Sequence, residues 1–225
     1  MKQNLTWLVF VIDRSGSMSS IAADMIGGFN RFVKDQKALP GECKVFAYQF
    51  DDHYDTICEG MDIKDVPELT DRTYVPRGST ALYPSLGKTI CDIGRKLAEL
   101  KEEDRPEKVL FVTITDGEHN HDGITNFRDV VYSSKQIKEM ITTQTEKYNW
   151  AFAYLGANQD SWAVGSGMGY SQGTTLNYVA TRTGVADMYS SLCDATTMYR
   201  CTKGAKFAFK AADKAGKIDD PEDGD

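Results

Sequence analysis

Apolar positions along the chain follow two rhythms that take turns. Leu5 to Ile12 is an almost unbroken apolar run, the pattern of a strand covered on both faces. Ile21, Met25, Phe29, Phe32 and Val33 then recur at helical spacing, with Ser19 or Ser20 as the expected N-cap and Pro40-Gly41 as the stop. "CKVFAYQF" (43–50) and "YDTICEG" (54–60) flank the polar turn Asp51-Asp52-His53 and predict an antiparallel hairpin. Met61 to Gly78, with Pro67 and Pro76, reads as an irregular surface connection.

Helical spacing returns at Leu82, Leu86, Ile90, Ile93, Leu97 and Leu100, and Val109 to Thr115 is the strongest strand pattern in the chain. Phe127, Val130, Ile137 and Ile141 predict a further helix, and Asn149 to Gly156 a further strand. A short helix around Gln159–Val164 is expected to end in Gly165, Gly167 and Gly169, ahead of a weak strand at Leu176–Ala180. Val185, Met188, Leu192, Ala195 and Tyr199 mark a last long helix. Lys203 to Lys217 reads as a terminal helix docking Phe207 and Phe209, and the acidic end, Asp219 to Asp225, as a disordered tail.

Strands separated by amphipathic helices imply parallel βαβ units, hence an α/β fold with an open sheet. Neither a linker nor an internal repeat breaks the chain, so one domain over residues 1–203 is expected, with residues 204–225 as an extension.

Composition narrows the function. The net charge of −7 disfavours a protein that tracks nucleic-acid phosphates and suits a cation or a basic partner better. No apolar stretch approaches the roughly 18 residues of a membrane span, and the start lacks the pattern of a signal peptide. The cysteines, at 43, 58, 91, 193 and 201, are odd in number and form no CxxC pair. They predict reduced, buried thiols and a cytoplasmic setting, not a disulfide framework or a zinc ribbon.

The chemistry sits where an open parallel sheet puts its binding sites, at the carboxyl ends of strands. Asp13, Ser15 and Ser17 follow the first strand, Thr80 opens a helix after Gly78-Ser79, and Asp116 ends the strongest strand in "TITDGE". These are two carboxylates and three hydroxyls, hard oxygens that suit Mg²⁺, Mn²⁺ or Ca²⁺ and not zinc. Five protein oxygens carrying only two formal charges leave a divalent ion partly unsatisfied, so such a site calls for a water or a carboxylate from elsewhere.

"DRSGS", Thr80 and "TDGE", in that order and at strand ends, resemble the metal-ion-dependent adhesion site (MIDAS) of von Willebrand factor A domains. The resemblance spans roughly Leu5 to Cys201. It implies an open Rossmann-like three-layer sandwich of about six mostly parallel strands, with one antiparallel edge strand and helices on both faces. It also implies that Ser15, Ser17 and Thr80 contact the cation, while Asp13 and Asp116 hold it directly or through water. An acidic residue of a protein partner would complete the coordination. Arg14, Tyr83 and Glu118 flank the site and are expected to touch that partner. "AYLGANQD", the long connection after the fifth strand and the compact length look like stand-alone A-domain proteins of bacteria and their phages, with a binding role and no enzymatic one.

Other readings fit less well. A haloacid-dehalogenase-type phosphoester hydrolase also begins from an aspartate after strand one, but needs a second acid where Ser15 stands. "GEHNHDG" offers His119 and His121 without the frame of a nuclease finger, and no GxGxxG follows strand one. "FDDHYD" reads as a hairpin turn before it reads as a second cation site. A scaffold with a vestigial metal site is the remaining alternative.

Overall fold

The computed structural model describes residues 1–127 and 130–214. Its centre is a six-stranded sheet built from β1 (Lys2–Asp13), β2 (Glu42–Phe50), β3 (Tyr54–Asp62), β4 (Pro106–Thr115), β5 (Ala151–Ala157) and β6 (Thr175–Tyr178). The strand order is β3-β2-β1-β4-β5-β6. All neighbours pair in parallel except β2 and β3, the hairpin expected at residues 43–60. The chain order reverses at β1, which lies between β2 and β4. An open α/β sheet forms its crevice at such a reversal.

The helices are α1 (Ala22–Lys37), α2 (Leu82–Glu99), α3 (Ser134–Tyr148), α4 (Ser161–Gly167) and α5 (Arg182–Cys201). They cover both faces, as the period-two alternation of β1 requires. Leu8, Phe10 and Ile12 pack with Met25 and Phe29 of α1 and Val185 and Met188 of α5. Trp7, Val9 and Val11 pack with Leu82, Leu86 and Ile90 of α2 and Ile137 and Ile141 of α3. Phe10 meets Phe29 and Phe32 edge-on at centroid distances of 5.5 and 5.4 Å. The parity that sends Val11 toward α2 sends Asp13 the same way.

Several local expectations need correction. The first helical segment does not start on a Ser19 or Ser20 cap: Gly16–Ile21 is a 3₁₀ turn that holds Met18 and Ile21 in the core before α1 begins. Phe127 and Val130 precede α3, which starts only at the capping box of Ser133 and Gln136. Gly165 and Gly167 lie inside α4, and only Gly169, at φ +92°, leaves it. The connection before α2 is no loose surface loop. Asn30 clamps both backbone groups of Leu69, at 2.9 and 2.8 Å, and Tyr74 is buried beneath β1.

Phe207 and Phe209 do dock in the core, but from a segment outside any helix; the helical turn Ala211–Lys214 comes after them. The acidic end falls outside the described residues. Of the free cysteines, Cys43 and Cys58 are buried, whereas Cys91 and Cys201 are exposed, contrary to the expectation of buried thiols throughout. No helix among the described residues is long and apolar enough to cross a membrane.

The contact between α1 and α5 depends on one glycine. A Cβ added at Gly28 would sit 2.1 Å from the ring of Tyr189, which is itself buried. Gly28→Ala is therefore expected to destabilise the fold by about 1–3 kcal/mol, the range for overpacking a close-packed interior. Gly27→Ala, where a methyl group meets nothing within 4 Å, is the control and should be neutral or mildly stabilising. Paired urea titrations check this, and equal effects of the two substitutions would refute it.

Candidate metal centre

The residues singled out at the strand ends come from three separate segments, and the fold brings them together. β1 ends at Asp13, whose register partner on β2 is Phe50, and Ile12 pairs with Ile114 of β4. Asp13 therefore lies beside Thr115, one residue before Asp116. Asp13 is 0% exposed. Its Oδ1 accepts the Ser15 N–H at 2.7 Å and its Oδ2 accepts the Thr115 hydroxyl at 2.5 Å. Beneath it, the buried Tyr74 hydroxyl donates to the Asp13 carbonyl at 2.5 Å.

Ser15 and Ser17 point the same way, with their Oγ atoms 3.1 Å apart. Ser17 Oγ donates to Asp116 Oδ1 at 2.7 Å, closing the first cluster onto the third. Thr80 is buried, and a methyl group added at Gly117 would lie 3.6 Å from its Oγ1 and 4.0 Å from Ser17 Oγ. The Asp116 turn therefore lies beside both hydroxyls. The Thr80 backbone is fixed from the same turn: its N–H donates to Asn120 Oδ1 at 2.7 Å, and its carbonyl accepts the Asn120 N–H at 3.1 Å.

The electrostatics suit a cation. Burial pushes the Asp13 carboxyl from its ordinary 3.8 up to about 7, against the pull of the Thr115 and Ser15 hydrogen bonds. Burial likewise raises Asp116, with Ser17 pulling it back. Neither carboxylate has a basic side chain within salt-bridge distance among the described residues, while five oxygen-bearing side chains converge there. A hard divalent ion would supply the missing positive charge and accept these donors. The residues present therefore fit such an ion.

The three flanking residues have different surroundings. Glu118 is exposed at the rim. Tyr83 is half-buried and stacks on His119, with ring centroids 4.1 Å apart. Arg14 does not face outward: its guanidinium is buried against Asp51 and Asp55. Three supporting residues escaped sequence reasoning, namely Thr115, Asn120 and Tyr74. Thr115 had a signal, since it shares the parity of Thr113 next to Asp116; Asn120 and Tyr74 are placed by loops with no periodicity.

Ligand atoms of Asp51, Asp52 and His53 form a second group, all within 4.8 Å of one another. Asp51 is fully buried there and its oxygens are taken up by protein donors. Oδ2 accepts Arg14 Nε at 3.0 Å and Arg77 Nε at 2.8 Å, and Oδ1 accepts the His53 N–H at 2.5 Å.

Against known structures, the chain is similar to several A domains. One is proximal thread matrix protein 1 from the mussel byssus with its MIDAS motif occupied by zinc (12% identity, TM-score 0.54, 85% of this chain and 46% of that one). Another is the manganese-loaded TRAP protein of Plasmodium vivax (15%, 0.55, 83% and 73%). A third is the vWF domain of the type V pili tip protein Mfa5 from Porphyromonas gingivalis (10%, 0.58, 89% and 97%). The chain spans about half the length of the mussel protein. No protein-family model and no curated protein matches the sequence. The chain has the von Willebrand factor A fold, with the six-stranded mixed sheet expected from its sequence.

Proposed function

We propose that the chain is a divalent-cation-dependent protein-binding module. Asp13, Ser15, Ser17, Thr80 and Asp116 hold Mg²⁺, or Mn²⁺ or Ca²⁺ in its place, and a carboxylate of the partner protein completes the coordination. The observation that carries this reading is the convergence of these side chains at the reversal point of the sheet, with Ser17 bonded to Asp116 across 99 positions of sequence. Metal-loaded A domains among the similar structures support it. When bound, the ion supplies a Lewis-acidic point that an acidic side chain recognises; the residues of this chain place it and keep water from the inner side of Asp13. Glu118 and Tyr83 lie at the rim where a partner would arrive. Arg14 is not part of that contact surface, because its guanidinium is engaged inside. A cytoplasmic setting accords with five unpaired cysteines.

Calorimetric titration of the chelator-stripped protein with Mg²⁺, Mn²⁺ and Ca²⁺ tests the reading. Wild type should bind, Asp13→Ala should not, and Thr80→Ala should bind at least about tenfold more weakly, the scale on which a lost ligand-shell group acts. Thr80→Ala should melt in chelator within a few degrees of wild type, because its hydroxyl supports no other group. Equal titration curves for all three proteins would rule the site out. Capture of a partner that survives chelator or Asp13→Ala would rule out the carboxylate bridge.

A further inference from the structure

We propose that Asp51 is the positioning residue of this site: its buried carboxylate ties the loop carrying Ser15 and Ser17 and the loop carrying Thr80 to one fixed point, so that their hydroxyls meet. The inference rests on the cation reading above and gives the "FDDHYD" turn a role other than cation binding.

The residue directly follows Phe50, the register partner of Asp13, at the end of β2. On one side it holds Arg14, whose own N–H donates to the Phe50 carbonyl at 2.8 Å. On the other it holds Arg77, and its backbone carbonyl accepts the Ala81 N–H at 2.9 Å. Thr80 is thus bracketed by two attachments to Asp51, one at residue 77 and one at residue 81. The two loops are also stitched to each other. Arg77 N–H donates to the Arg14 carbonyl at 2.8 Å, and Gly16 N–H to the Gly78 carbonyl at 3.2 Å. Gly78 sits at φ +64°, where any side chain is strained, and a Cβ there would also displace Asp52 Oδ1, 2.1 Å away.

Charge balance explains why this cluster is a brace and not a second cation site. Arg14 and Arg77 both reach Asp51 and Asp55, so two guanidiniums face two carboxylates. The forked geometry of arginine suits it to hold one carboxylate from two loops at once. An ion entering beside Asp51 would displace donors already in place. These four side chains add no net charge next to Asp13 and Asp116 and act on them through geometry; Asp52, on the same turn, faces His53 instead. Residues that orient a ligand shell in this way typically change metal affinity by 10- to 100-fold when lost.

Arg77 is the residue to test first, because its side chain is 53% exposed and its removal leaves the core intact. Arg77→Ala should weaken Mg²⁺ binding at least about tenfold in calorimetry. It should also speed amide hydrogen exchange at Thr80 and Ala81 in chelator, with little change in melting temperature. Arg77→Lys should recover part of both, and Asp51→Asn should lose at least as much Mg²⁺ affinity as Arg77→Ala. If wild type binds Mg²⁺ and Arg77→Ala binds it within about twofold, the positioning role is overturned while the cation reading stands. If wild type does not bind Mg²⁺, the cation reading fails. Exchange at Thr80 and Ala81 then decides whether Asp51 braces the loops, and unchanged rates in Arg77→Ala overturn it.

Discussion

At pH 8 in chelator, Asp13→Asn should be more stable than wild type, by about 2–4 kcal/mol. The reason is the folded-state carboxyl, which burial raises from 3.8 to about 7. Below pH 3.8 the acid is protonated in both the folded and the unfolded chain and costs nothing. As pH rises from 3.8 to 7 the unfolded chain releases its proton first, and stability falls. Above 7 the loss is complete, about 4 kcal/mol from the size of the shift. Asparagine keeps the shape without the charge. Its oxygen can accept the Ser15 N–H, and its amide can donate to Thr115 Oγ1, which can turn its own proton to the Gly117 carbonyl 3.1 Å away.

The same substitution should remove tight cation binding, because a neutral amide is a poor ligand for a hard ion. Saturating cation stabilises a protein by about 2.7 kcal/mol at a hundred times Kd. Adding Mg²⁺ at pH 8 should therefore raise wild type and leave Asp13→Asn where it was, closing or reversing the gap between them. Lowering the pH to 5 in chelator should shrink the gap for the other reason, since wild type regains most of what ionisation removed. Urea titrations in these three conditions separate the two effects. Were Asp13→Asn the less stable protein in chelator at pH 8, the carboxylate would be well compensated by its hydrogen bonds and the account of Asp13 would fail.

Strand ends were legible in the sequence because buried parallel strands are continuous apolar runs, and each run here stops at a polar residue that has to face the crevice. That made Asp13 and Asp116 visible, and the helical spacing after Leu82 placed Thr80 at a helix start. Periodicity carries no information about pieces that lie between elements. Phe127 and Val130 matched the spacing of α3 by accident, and only the Ser133–Gln136 capping box shows where that helix starts. Gly165 and Gly167 looked like helix breakers, yet α4 includes them. Its start is held by Asp160 accepting the N–H groups of Trp162 and Ala163, and Gly165 packs too closely on Thr175 for a larger residue. Arg14 is the instructive case. Its place inside the DxSxS loop suggested a contact residue, whereas the partners that bury it, Asp51 and Asp55, lie on a hairpin 37 and 41 positions away. A charged residue's direction is set by the nearest countercharge in space, which one-dimensional pattern does not encode.

Lys108→Met should be among the most damaging single changes to stability and yet leave the cation site alone. Lys108 stands near the start of β4, the strand whose far end carries Asp116, and is only 8% exposed. Its Nζ donates to the carbonyls of Tyr199 at 2.7 Å, Thr202 at 2.9 Å and Arg200 at 3.3 Å. These groups, at the C-terminal end of α5, have no partner within their own helix and carry the negative end of its dipole. The ammonium also lies 5.5 Å from the centre of the Tyr199 ring. Methionine preserves the apolar stem and removes all three donors, leaving the Tyr199 and Arg200 carbonyls without this partner, while the exposed Thr202 keeps the Ala205 N–H at 3.2 Å. A loss of about 2–4 kcal/mol follows from the cost of unsatisfied buried carbonyls and the lost dipole interaction. In a chain of this size that corresponds to a fall in Tm of roughly 5–15 °C. Lys108 and Asp116 are separated along β4 by roughly 25 Å. Below its lowered melting point the variant should therefore bind Mg²⁺ within about twofold of wild type. A tenfold weaker affinity in the folded variant would show that the anchoring of α5 and the cation face are coupled through the sheet. A stability change under about 0.5 kcal/mol would show that water replaces the ammonium at the helix end. The expected outcome gives the two ends of β4 separate roles, the first residues holding the last helix and the turn beyond the strand holding the ion.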